Sequence, residues 1–184
     1  MALTTKITAL GLLIFAFLAG NGIAGERYLD TINDQKVSWE FFTDGVMGGK
    51  SVGKAEFVEE GSQTFIRMSG EVTTENNGGF IQIRAKVSEL SDKTNGISIK
   101  VRGNNEKYYI FLRTSGTLMP WQYYSAEFST TDRWTLLKVA LTDFKRSSIW
   151  LKNTIDGSAI KSIGIVAYGR KHNALIEISE VRTY

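Results

Sequence analysis

The chain has 184 residues, 42% of them hydrophobic and 22% charged, with a formal net charge of +3. That is sequence for one globular core, and the charge is too small and too scattered to point to nucleic acid. There is no cysteine and His172 is the one histidine, so disulfides, thiolate metal sites, cysteine nucleophiles and multi-histidine zinc are excluded, as is a Ser-His-Asp triad on any other His.

At the N-terminus, Lys6 precedes an apolar run from Ile7 to Leu18, and small residues follow at Gly22 and Ala24. This is the pattern of a secretory signal: a positive start, a short apolar stretch, a small-residue cleavage site. The expected cut is after Ala24, with an uncleaved anchor as the alternative. Residues 25–184 are then an exported, periplasmic single domain that does not span a membrane. A lipoprotein is excluded because no cysteine follows the apolar run.

Residues 26–36 read as a polar lead-in. Val37 to Phe42 reads as a strand. It feeds a glycine-rich stretch, Asp44-Gly45-Val46-Met47-Gly48-Gly49-Lys50-Ser51-Val52-Gly53, where the backbone must turn sharply or pass close to something else. Met47 is expected to pack. Lys54 to Glu59 and Thr64 to Ser69 flank a hairpin turn at Glu60-Gly61-Ser62-Gln63. Glu71 to Glu75 is a short polar strand or loop, and Asn76-Asn77-Gly78-Gly79 is a second turn block.

Alternation then becomes regular. Ile81, Ile83, Ala85 and Val87 face one way, and Gln82, Arg84 and Lys86 the other. Ile97, Ile99 and Val101 are inward; Ser98, Lys100 and Arg102 are outward. Tyr108, Ile110 and Leu112 oppose Tyr109, Phe111 and Arg113. After a loop at 115–120, a strand from Trp121 to Phe128 sets Tyr124, Ala126 and Phe128 against Trp121, Tyr123, Ser125 and Glu127. Leu137, Val139 and Leu141 are inward on a strand from Trp134. Thr142 to Ile160 is irregular. Ile163 to Tyr168 is apolar on both faces, as a central strand should be. Lys171-His172-Asn173 reads as a solvated turn before a closing strand from Leu175 to Val181.

Helical periodicity is almost absent after residue 25. Some ten short strands with Gly, Asn and Ser turns predict an all-β antiparallel β-sandwich.

The block Trp39…Phe42-x-Asp44-x-Val46-Met47-Gly48-Gly49-x-Ser51-x-Gly53 resembles the signature of the complex I intermediate-associated protein family. The resemblance continues through Asn76-Asn77-Gly78-Gly79-Phe80-x-x-x-Arg84, Gly96-Ile97-x-Ile99-x-Val101-Arg102-Gly103, Tyr108…Leu112-Arg113-Thr114, Trp134, Asp143-Phe144, Ile163-Gly164-Ile165 and Ile176-x-Ile178. It implies a jelly roll of the galactose-binding-like type. It also implies a non-catalytic role like that of the family's mitochondrial members, which are chaperones for assembly of respiratory complex I.

The candidate binding residues are Asp44, Asn77, Arg84, Tyr109, Arg113, Trp121 and Tyr123. Asp44 either binds a polar ligand or caps its own turn. Asn77 either offers an amide to a sugar hydroxyl or only supplies a left-handed turn residue. The two turn blocks are expected to meet and form one rim. Arg84, Arg102, Arg113, Tyr109, Trp121 and Tyr123 can form an aromatic and arginine face for a sugar or a protein, or pair only with each other. Glu127, Asp132 and Asp143 are the carboxylates available for a glycosidase pair, with no separation fixed by sequence. Gly48-Gly49-Lys50-Ser51 lacks the upstream glycine and the following helix of a phosphate loop. The expectation is a binding domain without catalytic residues, metal or cofactor. It would act through a protein partner, a membrane complex among them; the alternative is a carbohydrate-binding module of the periplasm or cell envelope.

Overall fold

The computed structural model describes residues 30–31 and 37–184. The apolar run and the expected cleavage site lie outside the described residues. Among those described, no helix is long and apolar enough to cross a membrane.

Two antiparallel sheets form a sandwich. One has the order β3 (Val52–Glu60), β4 (Gln63–Val72), β12 (His172–Thr183), β6 (Gly96–Gly103) and β9 (Thr135–Ala140). The short β1 (Asp30–Thr31) adds to it, pairing in parallel with Glu180 and Val181 of β12. The other has the order β10 (Lys145–Arg146), β8 (Tyr124–Ser129), β7 (Lys107–Thr114), β11 (Ile160–Tyr168), β5 (Phe80–Lys86) and β2 (Trp39–Thr43). The second is called the cleft sheet below. Within the predicted lead-in, Asp30 and Thr31 therefore belong to a sheet.

The alternation in β5, β6 and β7 is the burial pattern. Ile81, Ile83, Ile97, Ile99, Ile110 and Leu112 have no exposed surface and fill the space between the sheets. Their β-branched or bulky side chains suit a pleated, half-buried surface, and truncating one to alanine is in the class that costs ~2–5 kcal/mol. The β3–β4 hairpin turns on Gly61 and Ser62, with Gly61 at φ +61°, a left-handed value that favours glycine.

Three expectations are corrected. His172 is buried rather than solvated. It is the first residue of β12, edge-on to Tyr108, and its Nδ1–H donates to the Arg170 carbonyl at 2.9 Å. Its burial follows from pairing with Val72 of β4, a partner a hundred residues earlier that a local reading does not see. Met47 is 64% exposed and does not pack in the core, because the short 3₁₀ turn Asp44–Met47 points its last residues outward. Trp121 and Trp134 lie just before their strands, which begin at Tyr124 and Thr135. Gln122 folds back so that its Oε1 accepts from the Leu118 and Met119 N–H groups, and this holds the chain in a loop through Trp121.

Arg102 is separated from the other arginines. It lies on the outer face of the β6 sheet, where it and Arg67 both pair with the buried Glu177. The two guanidiniums also lie over the Phe65 ring, and Arg102 lies over Trp134 as well. Glu177→Ala should destabilise the fold by about 2–3 kcal/mol. That is at or below the low end of the cost of breaking a buried pair, because both arginines keep some access to water. Chemical denaturation measures it, and a change under 0.5 kcal/mol would show the cluster to be a surface ornament.

Candidate binding cleft

The corner between the sheets is built first, because it sets one end of the cleft. The chain leaves β2 on the cleft sheet, turns through Asp44–Met47 and enters β3 on the other sheet. It crosses back between β4 and β5 through Thr73–Gly79. Asp44 ties the two crossings together from a position with no exposed surface. Its Oδ1 accepts the Ser51 N–H at 2.9 Å, while Oδ2 accepts the Ser51 hydroxyl and the N–H groups of Gly79 and Phe80. Burial works to raise the pKa of this carboxylate. The four donors outweigh it, and the net pKa lies below the ordinary 3.8.

Glycine is required at this corner by close approach. A Cβ on Gly49 would stand 2.3 Å from Asp44 Cγ, and one on Gly78 would stand 2.4 Å from Asp44 Oδ2. Lys50 pairs with Glu75 at 2.9 Å, and the Asn76 amide donates to the Gly48 carbonyl. The two turn blocks thus meet, as the rim expectation requires.

The cleft runs over the outer face of β2, β5, β11 and β7 and has a volume of about 1210 Å³. Val46, Met47, Asn77 and Gly78 bound it at the corner. Pro120, Trp121, Tyr123 and Ser147 bound it at the far side. Its floor is Gln82, Ser162 and Gly164. One wall carries Phe42 and Phe80, perpendicular with ring centres 6.1 Å apart. The other carries Phe111 stacked on Tyr123, 4.1 Å apart and nearly parallel at 10°. Tyr168 stands edge-on to Phe111 and accepts the Tyr123 hydroxyl at 3.2 Å. Burial, then this contact, pushes the Tyr123 phenol well above its ordinary value, so it stays a neutral donor and acceptor.

Two arginines face each other across the floor. Arg84 of β5 is opposite Gly164 in the sheet, and Arg113 of β7 is opposite Ser162. Arg84 lies over Phe42 at 4.6 Å, with Glu40 at 3.6 Å. Arg113 donates to the Thr117 and Met119 carbonyls at 3.1 and 3.0 Å. It therefore clamps the loop that carries Trp121 while keeping its charge.

Gly164 lies on this floor without a backbone reason to be glycine. Its φ is not left-handed, and a Cβ there would meet nothing closer than Gln82 Oε1 at 3.3 Å. A side chain at 164 would point into the cleft. The glycine keeps the floor low between the two arginines.

Of the seven predicted residues, Asn77, Arg84, Arg113, Trp121 and Tyr123 line the cleft. Tyr109 stands behind its wall, edge-on to Tyr168, with its hydroxyl donated to Glu127 at 2.9 Å. Asp44 is sealed inside the corner and reaches no ligand. Sequence reasoning passed over Phe42, Phe80, Phe111, Tyr168 and Gly164. The one available signal for the last was a glycine inside an otherwise apolar strand.

Glu127 and Asp143 border a separate shallow depression of about 450 Å³ between β8 and β9. The Lys107 and Tyr109 bonds hold the Glu127 pKa below its ordinary value, the reverse of what a general acid needs. Among the described residues, no group of three or more His, Asp or Glu could hold a metal ion.

Fold and cleft together define the class: an antiparallel jelly-roll β-sandwich of the galactose-binding-like type, with a ligand-sized trough on the outer face of one sheet. Solved structures share this fold. The family 11 carbohydrate-binding module of the cellulosomal cellulase Lic26A-Cel5E of Clostridium thermocellum superposes with a TM-score of 0.66 at 13% identity, over 85% of this chain and 92% of that one. The family 11 module from the same organism in complex with a β-1,3-1,4-mixed-linked tetrasaccharide gives 0.62 at 13% identity, over 78% and 86%. A family 30 carbohydrate-binding module gives 0.50 at 12%, over 74% and 92%. No curated protein matches in sequence. The chain belongs to the family described as Complex I intermediate-associated protein 30 (CIA30), whose sequence profile matches residues 30–176.

Proposed function

We propose that this protein is an exported, non-catalytic binding domain whose cleft takes a carbohydrate chain. The observation that carries this reading is the bare floor at Gly164 between aromatic walls. A strand interior gains from a side chain, and the one missing at Gly164 is a side chain that would fill the trough. Flat aromatic walls suit the apolar faces of sugar rings, and Gln82, Ser162, Asn77, Tyr123 and the arginines suit hydroxyls. The volume exceeds the usual range for a small-molecule pocket, roughly 300–1,000 Å³, which fits several sugar units in a row. The family 11 module's tetrasaccharide supplies a first compound to test.

A screen of oligosaccharides by calorimetry tests the proposal. The expected result is saturable binding that Trp121→Ala, at the rim and 65% exposed, weakens about tenfold. Binding to no oligosaccharide at all would remove the reading.

A second reading is a protein partner, and family membership favours it. Leu118, Ile149 and Trp150 are 82%, 78% and 85% exposed on two loops beside the Trp121 end of the cleft. Exposed apolar residues gathered in this way mark interaction sites. The Ser147 hydroxyl joins the two loops by donating to the Trp121 carbonyl and accepting the Tyr123 N–H. If the same screen is empty, and capture from an envelope fraction retrieves membrane-complex subunits lost with Trp150→Ala, this reading replaces the first.

A further inference from the structure

We infer that the ligand of the cleft is an anionic glycan, one whose sugar units carry a carboxylate or a sulfate ester. The inference rests on the carbohydrate reading and adds the charge of the ligand.

The charge inventory of the cleft carries it. The charged side chains lining the trough are Glu40, Arg84 and Arg113. Glu40 pairs with Arg84 at 3.6 Å, a long contact, and is itself half-exposed. Arg113 has no carboxylate partner among the described residues. Its Nη2 and Nε bonds go to Thr117 and to the Met119 carbonyl, all neutral. Nη1 makes no hydrogen bond among the described residues. The trough thus holds two guanidiniums against one carboxylate.

This excess is held in place rather than left to solvent. Burial, and secondarily the charge of Arg84, pulls the Arg113 pKa below its ordinary value. A second positive charge next to it is unfavourable in the empty cleft, and an oxyanion between the two relieves both costs. Other arginines of the sheets sit against carboxylates: Arg67 and Arg102 against Glu177, and Arg170 against Glu106. The floor also leaves room for the group. Arg84 and Arg113 belong to β5 and β7, one strand to either side of β11, and Gly164 bares the β11 backbone there. Guanidinium forks suit carboxylate and sulfate oxygens geometrically as well as by charge.

The test compares three oligosaccharides of equal length against the purified protein: a polyuronate, a sulfated galactan and a neutral mixed-linkage glucan. One or both acidic ligands should bind about tenfold tighter than the neutral one at low salt, the worth of one added charge-assisted hydrogen bond. The margin should shrink as salt is raised. Which acidic ligand binds decides between carboxylate and sulfate. Arg113→Gln should erase the margin, read as the ratio of acidic to neutral affinity within the same variant, so that a general loss of sugar binding cancels. Arg113→Lys keeps the charge and should keep most of the margin, which separates charge from the loop-clamping role. A neutral glucan that binds as well as the acidic ligands overturns the inference and leaves the carbohydrate reading standing. If none of the three binds, the carbohydrate reading fails and takes the inference with it.

Discussion

Asp44→Asn should destabilise the protein by about 2–4 kcal/mol, the range for leaving buried donors facing a donor in place of a charged acceptor. The amide has one oxygen where the carboxylate has two. If that oxygen serves the Gly79 and Phe80 N–H groups, the NH₂ meets the Ser51 N–H; reversed, it meets the other two. Neither orientation satisfies both sides of the corner. The corner has no slack for a shift, since Gly49 and Gly78 already press on the carboxylate.

The effect should depend on pH in a defined sense. The folded pKa of Asp44 lies below the ordinary 3.8. A carboxylate with a depressed folded pKa contributes stability that is complete above its unfolded pKa and lost as the pH falls through the folded one. Urea denaturation should therefore show the full difference between wild type and Asp44→Asn at pH 7, and a smaller one at pH 3. A difference that is absent at pH 7 would show that the corner does not depend on the charge. A variant that keeps its stability but loses ligand would instead place Asp44 in recognition.

Gly164→Leu should abolish binding in the cleft with little change in stability. The leucine would stand on the floor between Arg84 and Arg113 and lift a sugar ring off the surface it rests on. Losing the centre of a site in this way is a hot-spot effect, ≥2 kcal/mol or roughly 30-fold and more in affinity. The fold should tolerate the change. Gly164→Ala is the control: its Cβ would stand 3.3 Å from Gln82 Oε1, so that side chain must give by a few tenths of an ångström, and the change in stability should stay within about 0.5 kcal/mol. Calorimetry with thermal melts reads both quantities. Unaltered affinity in the leucine variant would move the ligand off this sheet.

The fold was legible because alternation is a direct record of which side of a sheet a residue is on. Ile81-x-Ile83-x-Ala85 and Tyr108-x-Ile110-x-Leu112 are buried in that order, and the outward set includes Arg84, Phe111 and Arg113. Alternation does not say which sheet a strand joins. Arg102 and Arg113 read alike in sequence and lie on opposite outer faces, because β6 and β7 belong to different sheets. The meeting of the two turn blocks was legible from their glycines, but the reason for it was not. Asp44 reads as a local turn residue, and its partners at 79 and 80 are 35 and 36 positions away. The cleft was half legible. Its arginines and its tryptophan announced themselves, whereas Gly164 signals by a side chain it does not have.

The placement of β12 has a consequence for when this protein can fold. Residues 172–183 lie in the interior of their sheet, pairing with β4 on one side and β6 on the other. Until they have been made, the β3–β4 hairpin and the β6–β9 pair have no shared ladder. The cleft sheet is also incomplete until β11 inserts between β5 and β7. Both sheets therefore wait for residues 160–183, and contacts over such separations form slowly. A ribosome-bound chain lacking these residues should have no native sandwich, and its apolar strands would stay open to a chaperone.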